Sequence, residues 1–134
     1  MRPWLRGIVA VLAVTAIGAL PQIAIAKSKS NRAPTISFSE DVVPIFKGRC
    51  IECHAPGGAG YEASGLDLRT YEGVMKGTKF GPMVVAGDAS ASSLMALLDW
   101  RVKPEIRMPH GKKKLSTCDR DTIRRWIEEG APNN

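Results

Sequence analysis

An all-α fold of three to four helices joined by long irregular connections is what this sequence predicts, and three observations carry it. Apolar residues recur at helical spacing around Val42 to Phe46, Leu94 to Trp100 and Ile123 to Ile127, a period that lines one face of a helix. Residues suited to capping stand ahead of these runs, among them Ser37, Ser90 and Ser116. The intervening segments are punctuated by Gly and Pro, and their alternation is limited to the short stretch Gly65-Leu66-Asp67-Leu68.

Taken in chain order, the amino terminus reads as an address. Arg2 and Arg6 make a positive start, Gly7 to Leu20 is uncharged and apolar, Pro21 breaks the run, and Ala24-Ile25-Ala26 is a small-x-small cleavage site. Residues 1–26 are expected to be a secretory signal, leaving an exported, soluble and, in a bacterium, periplasmic chain. The competing reading is an uncleaved anchor, since Gly7 to Ala26 approaches the roughly 20 residues that span a bilayer. Gly18, Pro21 and Gln22 count against it, and the lack of a Cys near the site argues against lipidation. Removing 26 of the 134 residues leaves 108, enough for one small domain with a modest core. Residues 27–37 are polar and basic at first and read as a flexible lead-in, and 38–134 as the domain.

Within the domain, Phe38 to Arg49 is expected to be the first helix, with Ser37 and Glu40 placed for a capping box. Pro44 fits only in or near a first turn, which leaves the helix start open. Ala55 to Gly65, with four glycines and one proline, reads as a loop. Thr70 to Lys76 reads as a short helix stopped near Gly77, and Thr78 to Asp88 as a further loop. Ser90 to Arg101 is expected to be helical with Ser90 as cap, and Val102 to Lys114 irregular around Pro104 and Pro109. The last helix is expected from Thr117 to Glu129, capped by Ser116 and stopped at Gly130. Long irregular connections suit a chain that wraps a flat apolar group better than an ordinary bundle.

Charge says little about partners. Of 19 Lys and Arg, Arg2 and Arg6 fall in the signal while all 13 Asp and Glu follow it, which leaves a net +4. The basic residues are scattered and the chain carries an export signal, so nucleic acid is not an expected partner.

The densest chemistry is Cys50-Ile51-Glu52-Cys53-His54, the Cys-x-x-Cys-His signature for covalent attachment of a c-type haem. Two thiols one helical turn apart can each add to a vinyl group of one porphyrin, and the adjoining imidazole is placed to ligate the iron. A redox disulfide would call for a βαβ context, and a zinc site would need Cys118 and a histidine to join the pair. For the sixth iron ligand Met108 is favoured, because it sits in an extended segment stiffened by Pro109. His110, Met83 and an open site are the alternatives, while Met95 and Met75 read as packing residues. Cys118 is left over and reads as a half-buried small residue. Lys112-Lys113-Lys114 reads as a solvated loop or, lying close to Met108, as a fringe that steers an acidic redox partner.

In combined order the motifs resemble the class I cytochrome c superfamily, and in particular the domains of planctomycete-type multidomain proteins. They are Phe38-Ser39-Glu40-Asp41-Val42-Val43-Pro44-Ile45-Phe46 before the haem signature, Gly65-Leu66-Asp67-Leu68-Arg69, Val85-Ala86-Gly87-Asp88 with Ser92-Ser93-Leu94, Met108-Pro109, Leu115-Ser116, and Ile123 to Ala131. The resemblance implies a compact helical fold whose first and last helices cross over the haem, with Phe46 and Trp126 meeting near the crossing. The chain departs from the family where Met108-Pro109-His110 replaces Met-Pro-Pro. The expected function is one-electron transfer through one haem, without enzyme activity of its own, as a free carrier or a subunit of a larger redox complex. The rival is a haem module with an open sixth position that binds or senses diatomic ligands.

Overall fold

The computed structural model describes residues 35–134, and the expected signal at 1–26 and most of the lead-in lie outside the described residues. The fold class is as expected: helices dominate, and the extended pairing among the described residues is one isolated bridge between Thr78 and Gly81. A π-helical turn, Phe38–Val42, runs into α1, Val43–Arg49; α2 is Ala59–Ser64, α3 Tyr71–Lys76, α4 Ser93–Leu98 and α5 Thr117–Glu128, with a 3₁₀ turn at Pro104–Ile106. No helix among the described residues is long and apolar enough to cross a membrane.

The π turn resolves the problem of Pro44. Val42 N–H donates to Ser37 O at 3.2 Å, five residues back, and the Val43 N–H donates to Phe38 O. That wider winding lets the chain enter α1 with Pro44 in its opening positions, where a missing N–H costs nothing. Ser37 caps as expected, its Oγ accepting from Glu40 N–H at 3.2 Å. The reciprocal acid is Asp41 rather than Glu40, with Ser37 N–H donating to Asp41 Oδ2 at 2.8 Å.

Two expectations are corrected. The glycine-rich segment contains α2, so the described residues hold five α-helices rather than three to four. Tyr61 N–H donates to Cys53 O at 2.9 Å and Gly65, at φ +76°, ends the helix in the left-handed conformation. Ser90 does not cap α4. The Asp88 carboxylate gathers Ser90 N–H, Ser90 Oγ and Ala91 N–H at 2.9, 2.6 and 3.0 Å, a local turn that competes with helix and delays it to Ser93.

The core joins the two ends of the described segment. Val42, Phe46, Ile123, Trp126 and Ile127 are all within 1 % of complete burial, at the periodic positions expected for the first and last helices. The ring that meets Trp126 is Phe38, at 5.3 Å between centroids, rather than Phe46, and Tyr71 stands edge-on to both. The crossing thus falls about two turns earlier than anticipated, leaving Phe46 for the cavity described below. Ile36 and Ser37, assigned to the lead-in, are tied down: Ile36 N–H donates to Glu129 Oε2 at 2.7 Å and Ser37 Oγ to Asn134 O at 2.9 Å. Ser116 caps α5 by accepting from Asp119 N–H at 3.0 Å.

Candidate functional site

Where α1 ends, the chain does not simply turn away. Cys53 and His54 N–H groups donate to Cys50 O at 3.1 and 2.9 Å, so the pentapeptide keeps a helical wind that presents both thiols and the imidazole together. They line a cavity of about 350 Å³, within the range of roughly 300–1,000 Å³ usual for cofactor pockets. Phe46 comes from α1, Leu66 and Leu68 from the extended stretch, and Leu94, Leu97 and Leu98 from α4. The alternation read at 65–68 does this work: Leu66 and Leu68 are buried, while Asp67 turns outward to pair with Arg69 at 2.8 Å.

Met108, Pro109 and His110 line the cavity as well, together with Met83. Met108 is held from both sides of its backbone. Its N–H donates to Leu97 O at 3.3 Å, and its carbonyl accepts from Trp100 Nε1 at 2.8 Å. Trp100 is itself stacked beneath cations, with the Arg107 guanidinium carbon 5.3 Å and Lys114 Nζ 5.7 Å from its ring. Met83 is anchored by its carbonyl alone, which accepts from Leu94 N–H at 2.9 Å. His110 is exposed, and its backbone has no such ties among the described hydrogen bonds. Met95 is fully buried and Met75 packs against the core, both as expected.

At the mouth, Arg49 and Lys112 line the opening. Lys112 Nζ reaches Glu52, inside the pentapeptide, at 2.6 Å, and Arg49 donates to Lys113 O at 3.2 Å. The hydrogen bond from Lys112 holds the Glu52 carboxyl below its usual pKa. These long-range ties close the segment after Met108 onto the haem signature. Cys118 stands apart. It is exposed rather than half-buried, because the buried face of α5 carries Ile123, Trp126 and Ile127 and its first turn faces solvent.

The thiols and the imidazole differ in setting. Burial pushes the Cys50 thiol up to about 11, against the opposing pull of the Arg49 and Lys112 charges, whereas Cys53 is exposed. Burial also lowers the His54 pKa, which favours the neutral imidazole, the form that binds metals. Its Nδ1 is buried and meets no hydrogen-bond partner of good geometry among the described residues. The Leu66 backbone lies near enough to the ring to favour its protonated form, against the larger effect of burial. Gly60 of α2 lies against the ring, where a Cβ would come within 2.7 Å of Cε1.

These features fit a haem. The walls are apolar, as a porphyrin face requires, and the donors are a neutral imidazole and a thioether, a pair that suits iron. The paired thiols open onto the same space. Sequence reasoning found Cys50, Cys53, His54 and Met108, and the structure brings all of them to one cavity. It missed Gly60, Thr78 and Leu97, which carry no motif and reach the cavity only through folding.

Comparison with known proteins agrees. Residues 50–110 match the family model described as planctomycete cytochrome C, a span that includes the pentapeptide and Met108 but not α1 or α5. No curated protein and no solved structure matches the chain. Fold, cavity and match agree: residues 50–110 are similar to the planctomycete cytochrome C family, a likeness that suggests a haem-binding electron carrier.

Proposed function

We propose that this protein is a periplasmic mono-haem cytochrome c that carries single electrons, in which His54 and Met108 would bind the iron. The observation that carries this reading is the meeting of Cys50, Cys53, His54 and Met108 on one apolar cavity, though Met108 lies more than fifty residues from the pentapeptide. Bound there, the haem iron supplies a one-electron Fe(III)/Fe(II) couple. Cys50 and Cys53 would hold the porphyrin by thioether bonds. His54 offers a neutral nitrogen. Met108 offers a soft sulfur whose approach is set in advance by Leu97 and Trp100. The leucines exclude water, and a thioether in a dry pocket favours the reduced iron and raises its potential. The location rests on the signal pattern at 1–26.

Arg49 and Lys112 at the mouth, with Lys113 beside them, support a redox partner that presents carboxylates. The tie between Lys112 and Glu52 takes up part of that charge, so steering is expected to be modest. Whether the domain works alone or within a larger redox complex, electrons then pass at this edge.

The ligand assignment is tested by Met108→Ala. Wild-type protein is expected to show a low-spin spectrum with a methionine-to-iron charge-transfer band in the oxidised state. The variant should lose that band, bind CO readily when reduced, and have a lower potential. A variant with an unchanged band contradicts Met108 ligation, and wild-type protein that is high-spin and binds CO supports the open-site rival.

A further inference from the structure

We infer that Trp100 is a latch on the distal ligand: its indole sets how long Met108 stays on the iron, and so how readily the cavity opens to added ligands. Trp100 is thus a positioning residue that acts through Met108. The inference rests on the haem reading of the cavity and on Met108 ligation, and it deepens both.

The backbone at this point asks for a different residue. Helix α4 ends in a pair of hydrogen bonds, with Arg101 N–H donating to Ala96 O at 2.9 Å and Trp100 N–H to Leu97 O at 3.3 Å. In a helix ending of this kind the residue at the turn is left-handed, and glycine is its usual occupant. Here the position is filled by Trp100, at φ +62°. A bulky side chain in that region is an outlier, kept only where its surroundings over-determine it. Ending the helix does not explain a tryptophan. What its side chain reaches does.

The half-buried indole donates from Nε1 to Met108 O at 2.8 Å. Its ring faces the Arg107 guanidinium carbon at 5.3 Å and Lys114 Nζ at 5.7 Å, and cations are attracted to such a face. Both cations are themselves tethered: Arg107 Nε donates to Val102 O at 3.3 Å and Lys114 Nζ to Asp99 O at 2.7 Å. The clamp is a closed circuit. Leu97 O accepts from both Trp100 N–H and Met108 N–H, each at 3.3 Å, while the indole takes the Met108 carbonyl. The tie from Leu97 is backbone, so the tie from Trp100 is the one that a substitution can remove. A neutral thioether is displaced from iron by an added nitrogen donor, and a chain already fixed in its bound position resists that exchange.

Tyr71 supplies the matched control. Its hydroxyl donates to Ala131 O at 2.8 Å, and neither residue lines the cavity. Tyr71→Phe and Trp100→Phe each lose one hydrogen bond from an aromatic side chain to a backbone carbonyl, and Trp100→Phe keeps a ring for the cations.

The experiment mixes free imidazole with the oxidised, haem-loaded wild type and both variants, and follows the loss of the methionine-to-iron charge-transfer band. At saturating imidazole Trp100→Phe is expected to lose the band about fivefold faster than wild type, the factor to which one net hydrogen bond corresponds. Tyr71→Phe should melt earlier yet exchange at the wild-type rate. A Trp100→Phe protein that exchanges at the wild-type rate overturns the inference, as does an equal acceleration in Tyr71→Phe. Should Trp100→Phe yield no mature protein, the wild type decides by nuclear magnetic resonance. Its Trp100 indole N–H is expected to exchange with deuterated solvent many times more slowly than a free indole, and exchange at the free rate overturns the latch. A wild type that lacks the band refutes Met108 ligation, and the latch falls with it; a wild type that has the band keeps the two failures apart.

Discussion

Cys50 and Cys118 show how differently one residue type can be set by its surroundings. Cys50 is largely withdrawn from solvent at the cavity wall, while Cys118 projects from the first turn of α5 into water. If both cysteines of the pentapeptide are consumed by thioether bonds, the mature protein carries one reactive thiol. A thiol reagent is therefore expected to label the native protein once per chain, and Cys118→Ser to abolish labelling. Two or three equivalents in wild type would count against thioether attachment. At this scale the sequence was informative where chemistry is local: the Cys-x-x-Cys-His spacing places its own donors within one helical turn. Gly60 and Leu97 were not legible, because their meaning comes from what another segment brings against them. The exposure of Cys118 was missed because a helix's first turn gives too few residues to tell its buried face.

Between elements, α4 and α5 are joined by a charge cluster around Asp99. Arg120 Nη1 lies 2.7 Å and Arg124 Nη2 3.1 Å from its carboxylate, and the Asp99 side chain is only 11 % exposed. Burial alone would raise its pKa, but the hydrogen bonds from Arg120 and Arg124 outweigh it and hold the carboxyl below the ordinary value of 3.8. A carboxyl whose folded pKa is depressed contributes stability that is complete above the unfolded value and is lost as pH falls through the folded one. Asp99→Asn is therefore expected to cost about 2 kcal/mol at neutral pH, the scale of a charge-assisted hydrogen bond. The difference from wild type should shrink below about pH 4, and urea unfolding across pH 2–7 measures it. A cost that persists unchanged at pH 2 would assign it to packing. The same scale shows why element boundaries were read unevenly. The first and last helices follow from their apolar spacing, and α5 begins at its Ser116 cap as expected. The start of α4 was misplaced because Asp88 captures Ser90, and α2 was missed because three of its flanking or internal positions, Gly58, Gly60 and Gly65, ordinarily mark loops.

Across the described residues, the helices form a frame whose first and last elements meet, with a cavity lined by α1 and α4. Phe38, Tyr71 and Trp126 lock the frame, and Trp126 Nε1 donates to Pro132 O at 2.9 Å, securing the carboxyl end. The long connections make sense as walls: residues 65–68 and 108–112 are irregular because they line the cavity rather than pack as helices. That relation was visible in the sequence as a surplus of loop over what a bundle requires, whereas the placement of the crossing at Phe38 depended on the π turn and was not. The proposed function rests on one covalently held porphyrin. The decisive measurement is a pyridine haemochrome spectrum combined with the intact mass of mature protein, made in cells with a working cytochrome c maturation system. The account predicts a c-type spectrum and a mass equal to the mature chain plus one haem; a colourless protein at the mass of the polypeptide alone contradicts it.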